Sequence, residues 1–379
     1  MINRDHYRKQ VQRALQRNPI VALLGARQTG KTTLAREFVP IDSANYFDLE
    51  DPFVADLMAN PMTALEGLKG LVVIDEAQRQ PGIFPVLRVL ADRADQPAQF
   101  LILGSASPEL SRQVAESLAG RVEHIHMSGF SLEETGENAL DHLWLRGGFP
   151  RSFLAADDAD SYHWREEFIR TFLERDLAKL GFGMSPVTMG RFWSMIAHYN
   201  GQNWKSTEVA SSLGVAPNTA RSYMDALEQT FMIRQLQPWF MNVKKRLVKS
   251  PKLYFRDTGI FHALLGIERE RDLLRHPKLG ASWENFALEQ VITLLRPREA
   301  YFYAVHGGVE LDLFIPGKVR LGIEFKRKDA PNVTKSMRQA IQDLDLDTLW
   351  IIYPGSREVQ LDEKIHVKPL NYLVTGLAT

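Results

Sequence analysis

A glycine-rich loop near the start of the chain constrains the fold more than any other feature. Residues 25–32 read Gly-Ala-Arg-Gln-Thr-Gly-Lys-Thr, follow the apolar run Ile20–Leu24 and precede a helix-compatible stretch. In a strand–loop–helix unit, such a loop brings backbone N–H groups and a positive helix end towards phosphates. Lys31 reaches the β- and γ-phosphates, and the Thr32 hydroxyl ligates Mg²⁺. The predicted ATP-binding residues are Gly25, Ala26, Arg27, Gln28, Thr29, Gly30, Lys31, Thr32 and Thr33.

Two carboxylates directly follow another apolar run. Leu71–Ile74 leads into Asp75 and Glu76. Asp75 is placed to hold the water shell of the metal, and Glu76 to polarise an attacking water as general base. Kinases of small molecules do not generally need the second carboxylate, because their nucleophile is a bound substrate. The pair therefore favours ATP hydrolysis, with a helix N-cap as the alternative role of Glu76.

A polar side chain at the end of a third strand completes the predicted ATP site. The apolar run Phe100–Leu103 ends in Gly104 and Ser105. In such ATPases a polar residue at this position commonly senses the γ-phosphate, and Ser105 is the candidate. Ser107 is a close rival, and either serine is also suited to capping the next helix.

The chain also contains four further segments that are typical of one family of ATPases. These segments are Ser117–Arg121, Gly147–Pro150, Phe172–Leu177 and Lys245–Gly259. With them the chain resembles a family of prokaryotic predicted ATPases, in which an AAA+ core is fused to a winged helix and a restriction-endonuclease-like domain. The resemblance implies a sheet of order 5-1-4-3-2 and ATP bound between subunits of a homo-oligomeric ring. A neighbouring subunit then supplies an arginine finger. Arg121 is the first candidate and Arg112 the second, and an ordinary surface position is the alternative for both.

The fold class that follows is α/β with four domains. The AAA+ P-loop core, a parallel sheet, spans 1–140, and a helical lid spans 141–200. A winged helix-turn-helix spans 201–265, and a small nuclease-like α/β domain spans 266–379. Within the third domain, Ser206–Val215 and a helix over Thr219–Met232, capped by Asn218, show the helix-turn-helix pattern.

A basic segment follows the predicted helix-turn-helix. Residues 234–256 contain seven basic side chains and no acidic one, namely Arg234, Lys244, Lys245, Arg246, Lys249, Lys252 and Arg256. The aromatic residues Trp239, Phe240, Tyr254 and Phe255 are interleaved with them. Such a mixture suits phosphate contact and base stacking, so we expect nucleic acid, DNA above RNA, as a partner. The alternative is a winged helix that mediates protein contacts and keeps its aromatic residues in the core.

A second set of charged residues lies near the C-terminus. Asp312 belongs to the run Glu310–Ile315, while Glu324 and Lys326 end the next run. In a hairpin the two carboxylates face one another as candidate Mg²⁺ ligands, beside a lysine that activates water. The resemblance to PD-(D/E)xK nucleases adds Glu284 as a third carboxylate. A silent site and a plain charged hairpin remain alternatives.

Composition limits the kinds of site and the class of protein that the chain can form. The 379 residues include no cysteine, which excludes disulfides and thiolate metal sites, and Lys plus Arg equals Asp plus Glu at 46 each. The lack of cysteine also fits a reducing compartment, so we expect a cytoplasmic protein. No apolar run approaches the roughly 18 residues of a membrane span, so we expect no membrane partner. The leading hypothesis is an ATP-hydrolysing motor or switch that remodels duplex or branched DNA. The alternatives are an ATP-controlled, Mg²⁺-dependent nuclease and a nucleotide-gated regulator that binds protein.

Overall fold

The structure is a computed structural model that describes residues 2–94, 98–105, 114, 116–177, 184–240, 248–306 and 308–376. These residues form two compact units. The first runs to Gly129 and includes Gln229–Phe231, and the second begins at Phe130 and contains the remaining described residues. The predicted domain boundaries after residues 140, 200 and 265 stay predictions. No helix within the described ranges combines the length and apolar character that crossing a membrane requires.

The first unit is built on a parallel sheet of five strands. The strands are β1 (Ile20–Gly25), β2 (Tyr46–Asp48), β3 (Gly70–Asp75), β4 (Ala98–Ser105) and β5 (Val122–His126). Its helices are Asp5–Arg17, Lys31–Ala35, Pro52–Leu57, Pro61–Leu65 and Ile83–Ala91, with a 3₁₀ turn at Ala77–Arg79. The strand order is β2-β3-β4-β1-β5, with every pairing parallel. The expected order 5-1-4-3-2 is thus confirmed, read from the opposite edge.

Apolar side chains cover both faces of this sheet, as a parallel sheet with helices on each side requires. All six residues of β1 are buried. Ile20 and Leu24 pack into one cluster and Val21 and Leu23 into another, because successive side chains of a strand point to opposite faces. The strands that end at Gly25, Asp75 and Ser105 therefore present their carboxyl ends at one edge, where α/β sheets bind ligands.

The second unit begins with a helical part. Its helices are Leu132–Thr135, Leu140–Arg146, Pro150–Phe153, Asp158–Thr171, Pro186–Ala197, Ser206–Leu213 and Pro217–Gln229, with a 3₁₀ turn at Glu137–Ala139. A π-helical turn, Phe172–Asp176, continues the fourth helix. The expected helix pair is present, and Gly214 ends its first helix with a φ of 70°. The second helix begins at Pro217 rather than after Asn218, because the fixed φ of proline suits a first helical turn.

A mixed sheet of eight strands completes the second unit. The strands are β6 (Ile233–Pro238), β7 (Lys252–Phe255), β8 (Tyr301–Ala304), β9 (Glu310–Ile315), β10 (Leu321–Phe325), β11 (Thr348–Tyr353), β12 (Val359–Asp362) and β13 (Ile365–Pro369). The accompanying helices are Thr258–Leu264, Glu270–Arg275, Leu279–Leu295, Lys335–Leu344 and Tyr372–Gly376. The strand order is β12-β13-β11-β10-β9-β8-β6-β7. Strands β6 and β7 pair antiparallel, while β6 also pairs with β8 in parallel.

Candidate nucleotide site and a second charged site

The phosphate loop joins β1 to the helix Lys31–Ala35, and its backbone explains its glycines. Gly30 has a φ of 97°, a left-handed conformation that glycine adopts without a side-chain clash. At Gly25, an added Cβ would lie 2.1 Å from the carbonyl oxygen of Met127. Only glycine fits at that position, because a backbone oxygen cannot move aside as a flexible side chain can.

Lys31 lies folded over the loop. The residue is 6% exposed, and its Nζ donates to the carbonyl oxygens of Gly25 at 3.0 Å and Ala26 at 2.8 Å. Burial lowers the pKa of Lys31 to about 8, while the charges of Glu76 and Asp75 oppose the shift. Its three donors are therefore held where the loop admits phosphate oxygens, which are stronger acceptors than carbonyls.

Thr32 and Asp75 are joined directly. The Thr32 hydroxyl donates to Asp75 Oδ2 at 2.7 Å, and the Tyr46 hydroxyl donates to the same oxygen at 3.0 Å. Asp75 is only 3% exposed, so these bonds hold its carboxylate in a defined direction. A hydroxyl and a carboxylate are ligands that suit Mg²⁺, and the pair fits the metal that accompanies a bound nucleotide. Thr32 and Asp75 would hold that ion.

Glu76 occupies a strained backbone position. Its φ of 54° lies in the left-handed region, which costs a residue other than glycine about 1 kcal/mol or more. The side chain makes no capping hydrogen bond to the turn Ala77–Arg79; its carboxylate accepts from the Gln78 amide instead. Burial raises the pKa of Glu76 against the opposing charge of Lys31. A raised pKa and a non-capping side chain suit a general base.

The structure describes only some of the other residues predicted around the nucleotide. Ser105 is buried at the end of β4, and among the described residues its hydroxyl oxygen has no hydrogen-bond partner. Its rival Ser107 and the second finger candidate, Arg112, lie outside the described residues. Arg121 contacts Asp92 of its own chain through two bonds, Nε to Oδ1 at 2.6 Å and Nη2 to Oδ2 at 2.7 Å. Its role as a finger towards a neighbouring subunit stays a prediction.

Arg4 is a buried contact to the loop that the sequence did not indicate. It is 6% exposed, and Nη1 donates to the Thr29 carbonyl oxygen at 2.8 Å. Nη2 donates to the carbonyl oxygens of Ser128 at 3.0 Å and Gly129 at 3.2 Å. The guanidinium therefore ties the phosphate loop to the segment after β5. The only signal in the sequence was an arginine among several near the N-terminus.

The structure brings the predicted C-terminal residues together. Asp312 on β9 and Glu324 on β10 are both buried. Lys326 Nζ lies 2.6 Å from Glu324 Oε2 and 3.7 Å from Asp312 Oδ2. The hydroxyl of Tyr254 donates to Glu284 Oε1 at 2.7 Å. We call these groups, together with Lys252, the C-terminal charged site.

Lys252 joins this site, which corrects one of the predicted nucleic-acid contacts. The residue is 3% exposed, and its Nζ lies 2.5 Å from Glu310 Oε1 and 3.5 Å from Asp312 Oδ1. Burial on its own would lower the pKa of Lys252, but the charges of Asp312, Glu284 and Glu310 outweigh it and raise the pKa. A lysine held inside the sheet by carboxylates cannot reach a phosphate backbone, so this assignment was wrong.

The rest of the basic segment is divided between core and surface. Arg234 forms two bonds to Glu289, at 2.5 and 3.0 Å, and is likewise taken up inside the fold rather than offered to phosphate. Tyr254 and Phe255 are fully buried, and Trp239 packs against Tyr301 and Phe314. The base-stacking role predicted for Tyr254 and Phe255 is wrong, because burial of their apolar area is the stronger demand, while that of the half-buried Trp239 stays a prediction. Lys249 and Phe240 are exposed, and Lys244, Lys245 and Arg246 lie outside the described residues.

The pKa values of the three carboxyl groups in the C-terminal charged site are shifted from their ordinary values. Burial and then the charge of Asp312 raise the pKa of Glu324 to about 8 and that of Glu284 to about 7. For Asp312 burial acts upwards, but Lys252 and Lys326 outweigh it and lower the pKa. Across the described part of the chain, no three acidic or histidine side chains are grouped to hold a metal ion. The metal role of Asp312 and Glu324 stays a prediction.

Comparison with known proteins covers nearly the whole chain. Residues 17–136 match a family described as a AAA domain, while 137–271 and 279–373 match domains of unknown function, DUF8612 and DUF4143. Two uncharacterized proteins, Mb2031c of Mycobacterium bovis and Rv2008c of Mycobacterium tuberculosis, are each 50% identical over 376 residues, 99% of this chain and 85% of the relative. The Walker-type ATPase PABY2304 of Pyrococcus abyssi has a similar structure, with a TM-score of 0.50 at 14% identity over 70% of this chain and 96% of its own. That match shows a shared fold.

Proposed function

The chain belongs to the family of the uncharacterized mycobacterial proteins Mb2031c and Rv2008c and carries an AAA-type ATPase core. On that premise we propose that the protein hydrolyses ATP as a homo-oligomer that acts on nucleic acid. The observation that carries the ATPase part is the arrangement around one loop. Lys31 lies over the loop, Thr32 is bonded to Asp75, and Glu76 stands next to them with a raised pKa.

Each side chain has a defined task in hydrolysis. Lys31 binds the phosphates of ATP, and Thr32 and Asp75 would hold Mg²⁺, which neutralises phosphate charge when bound. Glu76 accepts a proton from water as the water oxygen attacks the γ-phosphorus and the bond to ADP breaks. Ser105, a buried hydroxyl at the end of β4, is suited to donate to the γ-phosphate.

The Glu76→Gln variant tests this assignment. Loss of a general base typically lowers the rate by about 10²-fold or more, so we expect kcat to fall by at least that factor. ATP binding is expected to persist, because Lys31, Thr32 and Asp75 are unchanged. Glu37→Gln alters an exposed carboxylate of the same unit and is the matched control. A Glu76→Gln enzyme that turns over ATP at the wild-type rate would refute the role of Glu76.

The nucleic-acid part of the proposal is supported by the middle of the second unit. Helix Pro186–Ala197, the helix pair Ser206–Leu213 and Pro217–Gln229, and the β6–β7 hairpin follow one another in the order of a winged helix. The exposed side chains of Lys249 and Phe240 belong to the connection between the two hairpin strands. Such a hairpin suits contact with the phosphate backbone rather than with base edges.

ATPase rates with and without single-stranded, duplex and four-way-junction DNA test this part. We expect DNA to stimulate turnover and Lys249→Glu to weaken the stimulation, because it reverses a charge near the phosphates. Lys318→Glu, at an exposed turn between β9 and β10, is the matched control. ATP turnover that no form of DNA changes would contradict action on DNA and favour a nucleotide-gated regulator that binds protein.

Subunit mixing tests the proposed ring and its arginine finger. We expect Glu76→Gln and Arg121→Ala to be inactive when each is measured alone. In a mixed ring, an Arg121→Ala subunit keeps an intact ATP site and its Glu76→Gln neighbour keeps an intact finger. Mixing is therefore expected to restore part of the ATPase activity. Mixed oligomers without any recovered activity would exclude Arg121 as a finger acting between subunits.

A further inference from the structure

The C-terminal charged site contains an ammonium group that its sequence motif does not include. Lys252 begins β7, and its side chain passes Phe302 with Nζ 5.5 Å from the ring centroid. Nζ ends 2.5 Å from Glu310 Oε1 and 3.5 Å from Asp312 Oδ1. Lys252 and Asp312 are 60 residues apart in the chain, so the strand that carries the lysine is brought to the carboxylates only by the fold.

At least one oxygen of each of these three carboxylates already has a partner. Asp312 Oδ1 faces Lys252, and Oδ2 accepts from the backbone N–H of Phe325 at 3.0 Å. Glu324 Oε2 lies 2.6 Å from Lys326 Nζ, and Glu284 Oε1 accepts from Tyr254. Mg²⁺ requires near-octahedral oxygen ligands at about 2.0–2.1 Å, and the ammonium groups of Lys252 at Asp312 and of Lys326 at Glu324 would repel a divalent cation placed between these carboxylates.

The arrangement of donors therefore does not fit the divalent cation that a nuclease of this type requires. A buried carboxylate needs a compensating positive charge, and a lysine supplies it when the geometry allows. We propose that Lys252 provides the positive charge that the C-terminal charged site would otherwise take from a metal ion. The site accordingly holds no metal and does not hydrolyse phosphodiesters.

Binding of Mn²⁺ to the full chain without nucleotide tests the proposal. The free ion gives an electron paramagnetic resonance signal that disappears on binding, so its loss counts bound ions directly. Wild type and Asp312→Asn are expected to bind the same amount, because Asp312 is not a ligand. Wild type that loses a bound Mn²⁺ ion when Asp312 becomes asparagine would overturn the proposal.

The Lys252→Met variant tests the proposal through an expected gain of Mn²⁺ binding. Methionine keeps the length of the side chain without its charge, so Asp312 is left free to accept a cation. We expect this variant to bind an additional Mn²⁺ ion that Lys252→Met combined with Asp312→Asn does not bind. Lys318→Met removes an exposed lysine and is expected to add no site. A folded Lys252→Met variant that gains no ion would show that Lys252 does not stand in for the metal.

A cleavage assay decides the question even if Lys252→Met does not fold. Supercoiled and linear DNA are incubated with wild type in Mg²⁺ or Mn²⁺, and no cutting is expected. Cutting that disappears in Lys326→Ala would overturn the proposal. Neither outcome bears on ATP hydrolysis, because Glu76→Gln measures that reaction at the phosphate loop in the other compact unit.

Discussion

Replacement of Arg4 by methionine tests whether an arginine outside the nucleotide motifs positions the phosphate loop. The guanidinium donates to the carbonyl oxygens of Thr29, Ser128 and Gly129 at 2.8, 3.0 and 3.2 Å and is buried. Methionine fills similar space and donates no hydrogen bond. The bond to Thr29 touches the loop, because the carbonyl of this residue directly precedes Gly30.

The size of the expected effect can be worked out from the bond between Arg4 and Thr29. A hydrogen bond from a charged donor contributes about 1.5–3 kcal/mol, and losing about 2 kcal/mol of loop ordering weakens binding about 30-fold. Water can hydrate part of the freed Thr29 carbonyl, so we expect the KM for ATP to rise between about threefold and about 30-fold. The kcat is expected to change less, because Lys31, Asp75 and Glu76 are unaltered.

Steady-state kinetics and titration with a fluorescent ATP analogue measure the two parameters separately. Arg13→Met changes an exposed arginine of the same helix, Asp5–Arg17, and serves as the control. Circular dichroism establishes that both variants are folded at the assay temperature. If Arg4→Met matched Arg13→Met in KM and analogue affinity, the bond to Thr29 would not position the loop, and Arg4 would be a purely structural residue.

Three further predictions follow from burial and close contact. Burial raises the pKa of Glu76, and this side chain must be ionised to act as a base. As the pH is lowered, kcat/KM for ATP should therefore fall at a higher pH than it would with a glutamate of ordinary pKa. A kcat/KM that does not change with pH would argue against Glu76 as the base. Arg234→Met leaves Glu289 unpaired, so urea denaturation should show a loss of about 3 kcal/mol, and a change within error would mean that the pair contributes little. Gly259→Ala should lower the melting temperature strongly, because its Cβ would lie 2.1 Å from a backbone oxygen, whereas Gly280→Ala has open space and should not.

The sequence predicts best what is contiguous. The phosphate loop and the Asp75–Glu76 pair are local, because a short segment determines both the residue types and the backbone they need. The strand order of the first sheet was expected from the resemblance and is present. Ser105 was expected at a strand end, and it lies at the end of β4.

Contacts between distant segments could not be predicted in the same way. Arg4 meets Ser128 across 124 residues, and Arg234 meets Glu289 across 55. A count of charges does not say which side chains point into the core. The basic segment 234–256 therefore offers fewer side chains for contact with nucleic acid than its sequence indicates. A weak signal was present, because Lys252 and Tyr254 are two residues apart and therefore share one face of a strand. Both reach the C-terminal charged site.

The position of β6 between β7 and β8 limits how this protein can be divided for experiments. A fragment that ends after the hairpin would leave β6 with unpaired N–H and C=O groups along the side where β8 pairs. A fragment that begins after the hairpin would expose β8 in the same way, and it would lose Lys252 from its place beside Asp312. Exposed strand edges of this kind recruit other chains and aggregate. Studies of either part are therefore better made by point substitution in the intact chain than by truncation.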